Sequence, residues 1–161
     1  MLRVEITMNS KNQTAFVERV GDFFERMGQA QIAGRLFGYL LICDPAEQSA
    51  AQLQDAVSAS AGSINNMLRL LQASGFVERR SEAGSRKHWY WIAPGAFSRV
   101  LSQRMQLVSE LKILAETGLA EMELSKSNKR GERLREMYDC YEFFEQEFPA
   151  LVKQFDSRSV K

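Results

Sequence analysis

Cysteine, histidine and proline are scarce in this sequence: its 161 residues include two cysteines, one histidine and three prolines. Both cysteines stand in unrelated contexts, so we expect no structural disulfide in a reducing compartment. The formal net charge is only +1, which by itself gives no argument for a nucleic-acid partner. The longest apolar run, residues 36–43, is far too short to cross a bilayer, and we expect no membrane association.

Signals for secretion are missing as well. The first eight residues contain a single arginine and no apolar stretch, unlike a signal peptide. We therefore expect a cytoplasmic location. Hydrophobic residues make up 45% of the chain and charged residues 25%, a balance typical of soluble globular proteins. A chain of this length can bury a working core without disulfides or metals.

Patterns that carry catalysis are also absent. The sequence has no phosphate-binding glycine-rich loop, no nucleophile elbow and no Cys/His set with zinc spacing. The single histidine, His88, has no visible partner, and we interpret it as an ordinary strand side chain. We therefore expect no enzyme activity, no metal site and no cofactor.

Hydrophobic periodicity predicts a mainly helical chain. Helices are predicted at residues 10–28, 31–43, 49–57, 60–74 and 96–123, followed by a helical segment with an apolar stripe at residues 134–155. Ser49 and Ser60 are well placed to cap the third and fourth of these helices. Two short helices with a tight connection are typical of a helix-turn-helix unit.

Two stretches rich in strand-favouring residues, 76–80 and 87–92, follow this unit, and the turn between them contains Gly84. A hairpin directly after a helix-turn-helix is a wing. The sequence thus predicts a mainly α fold with a two-stranded β wing and long N- and C-terminal dimerisation helices. Its predicted parts are N-terminal helices at 10–43, a winged helix-turn-helix domain at 44–93 and a C-terminal helical region at 94–157.

The predicted helix at 60–74 has one apolar face and one polar face. Asn side chains can bond adenine and Arg side chains can bond guanine in the major groove, while a basic wing tip can enter the minor groove. Between residues 62 and 92, five Lys or Arg stand against two Glu, a local charge of +3. The predicted DNA-binding residues are Ser60, Gly62, Ser63, Asn65, Asn66, Arg69, Arg86 and Lys87.

Apolar residues at steps of three and four form a heptad-like stripe in the C-terminal segment, which is typical of a helix–helix interface. The predicted dimerisation residues are Leu134, Met137, Phe144, Phe148, Leu151 and Phe155. Pro149 interrupts the stripe and predicts a bend or break in the helix.

Aromatic residues on the first and last helices leave two interpretations open. Such residues at helical spacing are usually core. They can also hold a small-molecule cation through cation–π attraction, in a site where these helices meet. The candidate effector-binding residues are Phe16, Phe23, Phe24, Tyr138 and Tyr141.

Residues 16–93 resemble the MarR superfamily, and most of all its GbsR-type branch. The resemblance is carried by residues 34–41 (GRLFGYLL), Asp44-Pro45, residues 62–64 (GSI), residues 68–71 (LRLL) with Gly75, and residues 84–86 (GSR) with Tyr90. It implies a homodimeric winged-helix regulator with Arg86 in the minor groove, and for this branch the sensing of a small solute. Asn65 stands where the branch more often has Ser.

The residues and the resemblance together predict a sequence-specific regulator of transcription that binds double-stranded DNA. We expect it to act as a repressor, to bind a near-palindromic operator as a homodimer, and to be released by a small-molecule effector. The alternative is a winged-helix module for protein–protein contact with no affinity for DNA. Gel shifts at two salt concentrations separate the two, because phosphate contacts weaken steeply with salt.

Overall fold

The computed structural model describes residues 10–81, 84, 87–121 and 129–159. Its elements are α1 (Ser10–Arg26), α2 (Gln31–Ile42), β1 (Gln48–Ser49), α3 (Ala50–Val57), α4 (Ala61–Ala73), β2 (Val77–Ser81), β3 (His88–Ile92), α5 (Ala96–Glu121) and α6 (Lys129–Ser159). The chain divides into two compact units after Ala96. The first four predicted helices and the two predicted strands are confirmed, with ends within two residues of those expected. The fifth predicted helix is confirmed over Ala96–Glu121, and its expected end at residue 123 lies outside the described residues.

The core of the first unit lies where α2, α3, α4 and the sheet meet. Its fully buried large side chains are Leu36, Leu53, Ile64, Leu68 and Leu71. Val77 and Tyr90 extend the same cluster into the sheet. Because burial of one such aliphatic side chain contributes about 1.5–3 kcal/mol, the three buried residues of α4 anchor this helix by its inner face. The predicted apolar face of α4 is therefore confirmed.

Helices α1 and α2 pack closely because glycines lie where they cross. Gly21 of α1 and Gly34 of α2 are both buried. A Cβ atom added at Gly34 would lie 2.6 Å from the carbonyl oxygen of Val20 and 2.8 Å from the Cα atom of Gly21. Since both neighbours are backbone atoms, the helices could accept a side chain there only by moving apart. Arg35 adds an ion pair, donating through Nε and Nη2 to one carboxylate oxygen of Glu18 at 2.9 and 2.6 Å.

The sheet has three antiparallel strands in the order β1-β3-β2, one strand more than the two predicted for the wing. Strands β2 and β3 pair over their whole length. Strand β1 adds Gln48 opposite Tyr90 and Ser49 opposite Trp89. A strand of two residues is too short to show alternation in a sequence. The predicted two-stranded wing is therefore confirmed as the hairpin of β2 and β3, and β1 adds a short third strand on the far side of β3.

The second unit consists of α5 and α6, and Glu145 of α6 accepts two hydrogen bonds from α5. The hydroxyl of Ser109 donates to one of its carboxylate oxygens at 2.5 Å, and the ammonium group of Lys112 donates to the other. The hydrogen bond from Lys112 lowers the pKa of Glu145, and the same bond raises the pKa of Lys112. This charged contact therefore links the two helices beside their apolar surfaces.

Helix α6 continues past Pro149, so the break that a proline can cause does not occur there. Proline removes one hydrogen bond from a helix because it has no backbone N–H. Pro149 is exposed, and water can reach this stretch of the backbone. None of the described helices is long and apolar enough to cross a membrane.

We expect Gly34→Ala to lower the free energy of unfolding by about 1–3 kcal/mol, because the added methyl group would overpack the crossing of α1 and α2. Urea denaturation followed by circular dichroism measures the change. Gly62→Ala is the matched control, since a Cβ atom at this helical glycine meets no atom within 4 Å. The control should keep or slightly raise stability. Equal stability of Gly34→Ala and wild type would contradict the close crossing.

Candidate nucleic-acid interface

Two serine caps stabilise the starts of α3 and α4, the helices that form the helix-turn-helix. Ser49 and Gln52 form a capping box: the Ser49 hydroxyl accepts from the Gln52 backbone N–H at 3.3 Å, and the Ser49 N–H donates to the Gln52 side chain at 2.8 Å. Ser58 ends α3 in the left-handed conformation, with φ of 51°. Ser60 then caps α4, its hydroxyl accepting from the Ser63 N–H at 3.2 Å. These contacts fix the first turn of both helices.

Helix α4 presents a polar outer face. Asn65, Asn66 and Arg69 are exposed, whereas Ile64 and Leu68 of the same helix are only 1% exposed. Gly62 is also exposed, and the space around its Cα is open. The inner face therefore anchors the helix in the core while amide and guanidinium groups point outward. Such groups can form two hydrogen bonds with one base edge.

The wing is the hairpin of β2 and β3. At its described outer end the hydroxyl of Ser81 and Nδ1 of His88 are hydrogen-bonded at 3.1 Å. Lys87 precedes β3 and is exposed. Tyr90 turns its side chain into the core and is only 5% exposed, which holds the base of the hairpin against the helices. The wing therefore has a buried base and a basic outer end.

One groove joins α4 and the wing. It has a volume of about 570 Å³ and is lined by Ser49, Ala50, Ala51, Gln52, Asn65, Lys87, His88, Trp89 and Tyr90. Asn65 comes from α4 and Lys87 from the wing, so two predicted DNA-binding residues line the same concave surface. None of the lining residues is acidic, which suits a polyanion.

The structure exposes six of the eight predicted DNA-binding residues: Ser60, Gly62, Asn65, Asn66, Arg69 and Lys87. Ser63 is half-buried. Arg86 lies outside the described residues. The start of α3 was predicted as a helix start but not as part of the interface, where Gln52 and its neighbours line the groove. Its capping box was a usable signal, because a helix start that is fixed next to a polar groove offers free backbone N–H groups.

The candidate effector-binding aromatic residues lie in both units: Phe16, Phe23 and Phe24 in the first, and Tyr138 and Tyr141 in the second. Phe23 is 52% exposed, whereas the ring of Phe24 packs 5.6 Å from that of Phe37, among the residues that pack against the core. In α6 the hydroxyl of Tyr138 donates to Glu142 at 2.8 Å, which raises the pKa of Tyr138. Phe16 and Tyr141 are half-buried. An effector site among these residues stays a prediction.

Several of the predicted dimerisation residues leave much apolar surface exposed. Phe144, Leu151 and Phe155 are 49%, 59% and 56% exposed. Leu134, Met137 and Phe148 are half-buried. An apolar groove of about 330 Å³ runs between α5 and α6, and it is lined by Phe97, Ser98, Leu101, Phe148, Leu151, Val152 and Phe155. Among the residues described, no group of His, Cys, Asp and Glu side chains could hold a metal ion.

A helix-turn-helix followed directly by a β hairpin defines this chain as a winged helix-turn-helix protein. Comparison with known proteins gives a closer assignment. A family model described as MmpR5-like MarR family transcriptional regulator matches residues 95–158. The HTH-type transcriptional regulator MmpR5 of Mycobacterium tuberculosis is 36% identical over 144 residues, which cover 89% of this chain and 87% of that protein.

A crystal structure of a transcriptional regulator matches with a TM-score of 0.78 and 35% identity, over 91% of this chain and 99% of the other. The chain therefore belongs to the MmpR5-like MarR family of transcriptional regulators. The predicted MarR relationship is confirmed, and its GbsR-type branch stays a prediction.

Lys87 lines the groove between α4 and the wing, and its contribution to DNA binding can be tested by mutation. If a phosphate backbone lies there, Lys87→Ala should weaken binding to every duplex alike, and the slope of log K against log salt concentration should fall by about one unit. Fluorescence anisotropy at four salt concentrations measures both quantities. Lys153→Ala, which removes an exposed charge from α6, should leave the slope as in wild type. An unchanged slope in Lys87→Ala would remove the outer end of the wing from the interface.

Proposed function

We propose that this chain regulates transcription by binding a specific sequence of double-stranded DNA, with α4 in the major groove and the wing along the neighbouring minor groove. The observation that carries the proposal is that Asn65 of α4 and Lys87 of the wing line one groove without acidic residues. A duplex has its major groove and its phosphate backbone side by side. A helix with exposed Asn and Arg next to a basic hairpin matches that arrangement.

The outer face of α4 supplies the chemistry for reading bases. Asn66 can donate to and accept from adenine, and Arg69 can donate twice to guanine. Around Gly62 the open space lets a sugar-phosphate backbone approach the first turn of α4. The free N–H groups at the start of this helix suit phosphate oxygens. Phosphate contacts would then set the register while Asn66 and Arg69 set the sequence preference.

Dimerisation through α5 and α6 is the second part of the proposal. In one protomer the half-exposed stripe of α6 includes Phe144, Leu151 and Phe155. A large contiguous apolar surface is unusual on a soluble monomer and indicates a binding partner. A second copy related by a two-fold axis would place two α4 helices about 34 Å apart, one turn of DNA. The operator would then be near-palindromic.

Repression and release by a small molecule complete the proposed function, and both rest on the family resemblance. A ligand would release the DNA only if it bound the DNA-competent and DNA-incompetent forms with different affinity. A quaternary ammonium compound is the first candidate, because aromatic rings such as Tyr141 and Phe16 can hold a cation.

We expect Asn66→Ala and Arg69→Ala to lose sequence discrimination more than general affinity for DNA, with each lost base contact costing about 1–3 kcal/mol on the preferred site. The measurement compares a duplex selected from a random library by the wild-type protein with a shuffled duplex of the same composition. Asn12→Ala and Arg26→Ala are matched controls, because both residues are exposed on α1. They should keep the wild-type preference.

Equal losses on the selected and the shuffled duplex would instead assign Asn66 and Arg69 to phosphate contacts. If the wild-type protein binds neither duplex at low salt, the DNA-binding proposal fails. That result would favour the alternative, a winged-helix module for protein–protein contact.

The dimer is tested by Phe144→Glu, which would place a charge in the apolar interface and shift the protein toward monomer or aggregate. Sedimentation velocity at micromolar concentration measures the change. Gln146→Glu adds the same charge at an exposed position outside the stripe, and should leave the dimer intact. A wild-type protein that sediments as a monomer at this concentration would rule out the proposed assembly.

A further inference from the structure

A charged and aromatic cluster lies on the face of the sheet that carries Trp89. Arg80 of β2 donates through Nε and Nη2 to one carboxylate oxygen of Glu47, at 2.8 and 2.5 Å. The centre of the same guanidinium lies 5.9 Å from the centroid of the Trp89 ring. Arg80 is therefore held by a carboxylate and an aromatic ring at once.

The positions of these residues in the sheet show what the cluster connects. Strands β1 and β2 are the two edges, and both pair with β3. Trp89 of β3 stands opposite Ser49 on one side and opposite Arg80 on the other. The ion pair between Glu47 and Arg80 thus passes over the central strand and links the two edges by side chains.

Each end of this link belongs to a different part of the proposed DNA-binding surface. Glu47 comes two residues before Ser49, the residue that caps α3. Arg80 is the second-last residue of β2 and Trp89 the second residue of β3, so both lie in the outer half of the wing hairpin. A two-stranded hairpin is only marginally stable by itself, and side-chain contacts at its edge restrict its motion. The link therefore holds the outer wing to the helix-turn-helix.

Charge makes Glu47 unusual for this location. A carboxylate close to a DNA-binding surface repels phosphate, and by pairing with Arg80 it also takes one cation away from that surface. The side chains of Arg80 and Glu47 are 52% and 41% exposed, so the pair contributes little to folding stability. The cluster is therefore explained neither by electrostatic attraction of DNA nor by a contribution to folding stability.

From this geometry we infer that Glu47 is a positioning residue for sequence recognition: by holding Arg80 over Trp89, it sets the angle of the wing relative to α4. This inference rests on the proposed function. With the link in place, Lys87 and Asn65 stay on the two sides of one groove. Without it, the wing moves over a wider range of angles and the two elements engage a preferred site together less often.

The test uses Glu47→Gln, which keeps the shape of the side chain and removes its charge. Asp55→Asn is the matched control, since it removes the same charge from an exposed position of α3. The readout is the ratio of the dissociation constants for the shuffled and the library-selected duplex, measured with the full chain. Partial unfolding lowers the active fraction on both duplexes equally, so a purely structural role leaves this ratio unchanged.

In Glu47→Gln the ratio should fall about two- to fivefold, the range expected for the loss of an exposed ion pair. Asp55→Asn should keep the ratio and bind both duplexes slightly more tightly, because one repulsive charge is gone. Arg80→Gln should show the same fall as Glu47→Gln, and the double variant should fall no further, because the two residues act as one link.

Three results overturn the inference. If Glu47→Gln behaves like Asp55→Asn, its carboxylate acts only as a charge. If the losses in Glu47→Gln and Arg80→Gln multiply in the double variant, Arg80 acts on DNA by itself. If the wild-type protein shows no sequence preference, the proposed function fails and this inference fails with it. The first two results overturn the inference alone and leave the proposed function standing.

Discussion

The first unit depends on the burial of one face of α4. Leu68 and Leu71 lie in the centre of the core together with Leu36 of α2 and Leu53 of α3. A helix that anchors a domain by one face must turn its opposite face outward. The exposure of Asn65 is thus a consequence of apolar packing. The surface that we assign to DNA is rigid for the same reason, since its backbone is part of the core.

The wing depends on this core at one end only. Tyr90 and Val77 bury the base of the hairpin, whereas its outer half has no large buried side chain among the described residues. Apolar burial can therefore hold the base but cannot set the angle of the outer strands. Polar contacts, which require a specific geometry, have to set this angle. This division makes the cluster of Glu47, Arg80 and Trp89 significant despite its exposure.

Sequence reasoning succeeded wherever the determining signal is local. The spacing of Ile64, Leu68 and Leu71 predicted the buried face of α4, and Ser60 predicted its start, because helical periodicity and capping involve residues only a few positions apart. Strand β1 was missed because its two residues take their structure from pairing with β3. The ion pair of Glu47 and Arg80, which lie 33 positions apart, leaves no trace in periodicity. The same holds for the groove shared by Asn65 and Lys87.

Different interactions matter in the second unit. Lys112 and Glu145 form an ion pair between α5 and α6, with side chains 21% and 33% exposed. Part of the apolar surface of α6 is uncovered, with Leu151 and Phe155 more than half exposed. A single α4 with its wing can contact only a few base pairs. Two copies joined through this surface would bind one duplex at two places, and the second contact would form at a high effective concentration. In the proposed function, the uncovered stripe of α6 and the polar face of α4 would therefore be the two surfaces that one symmetric assembly on DNA requires.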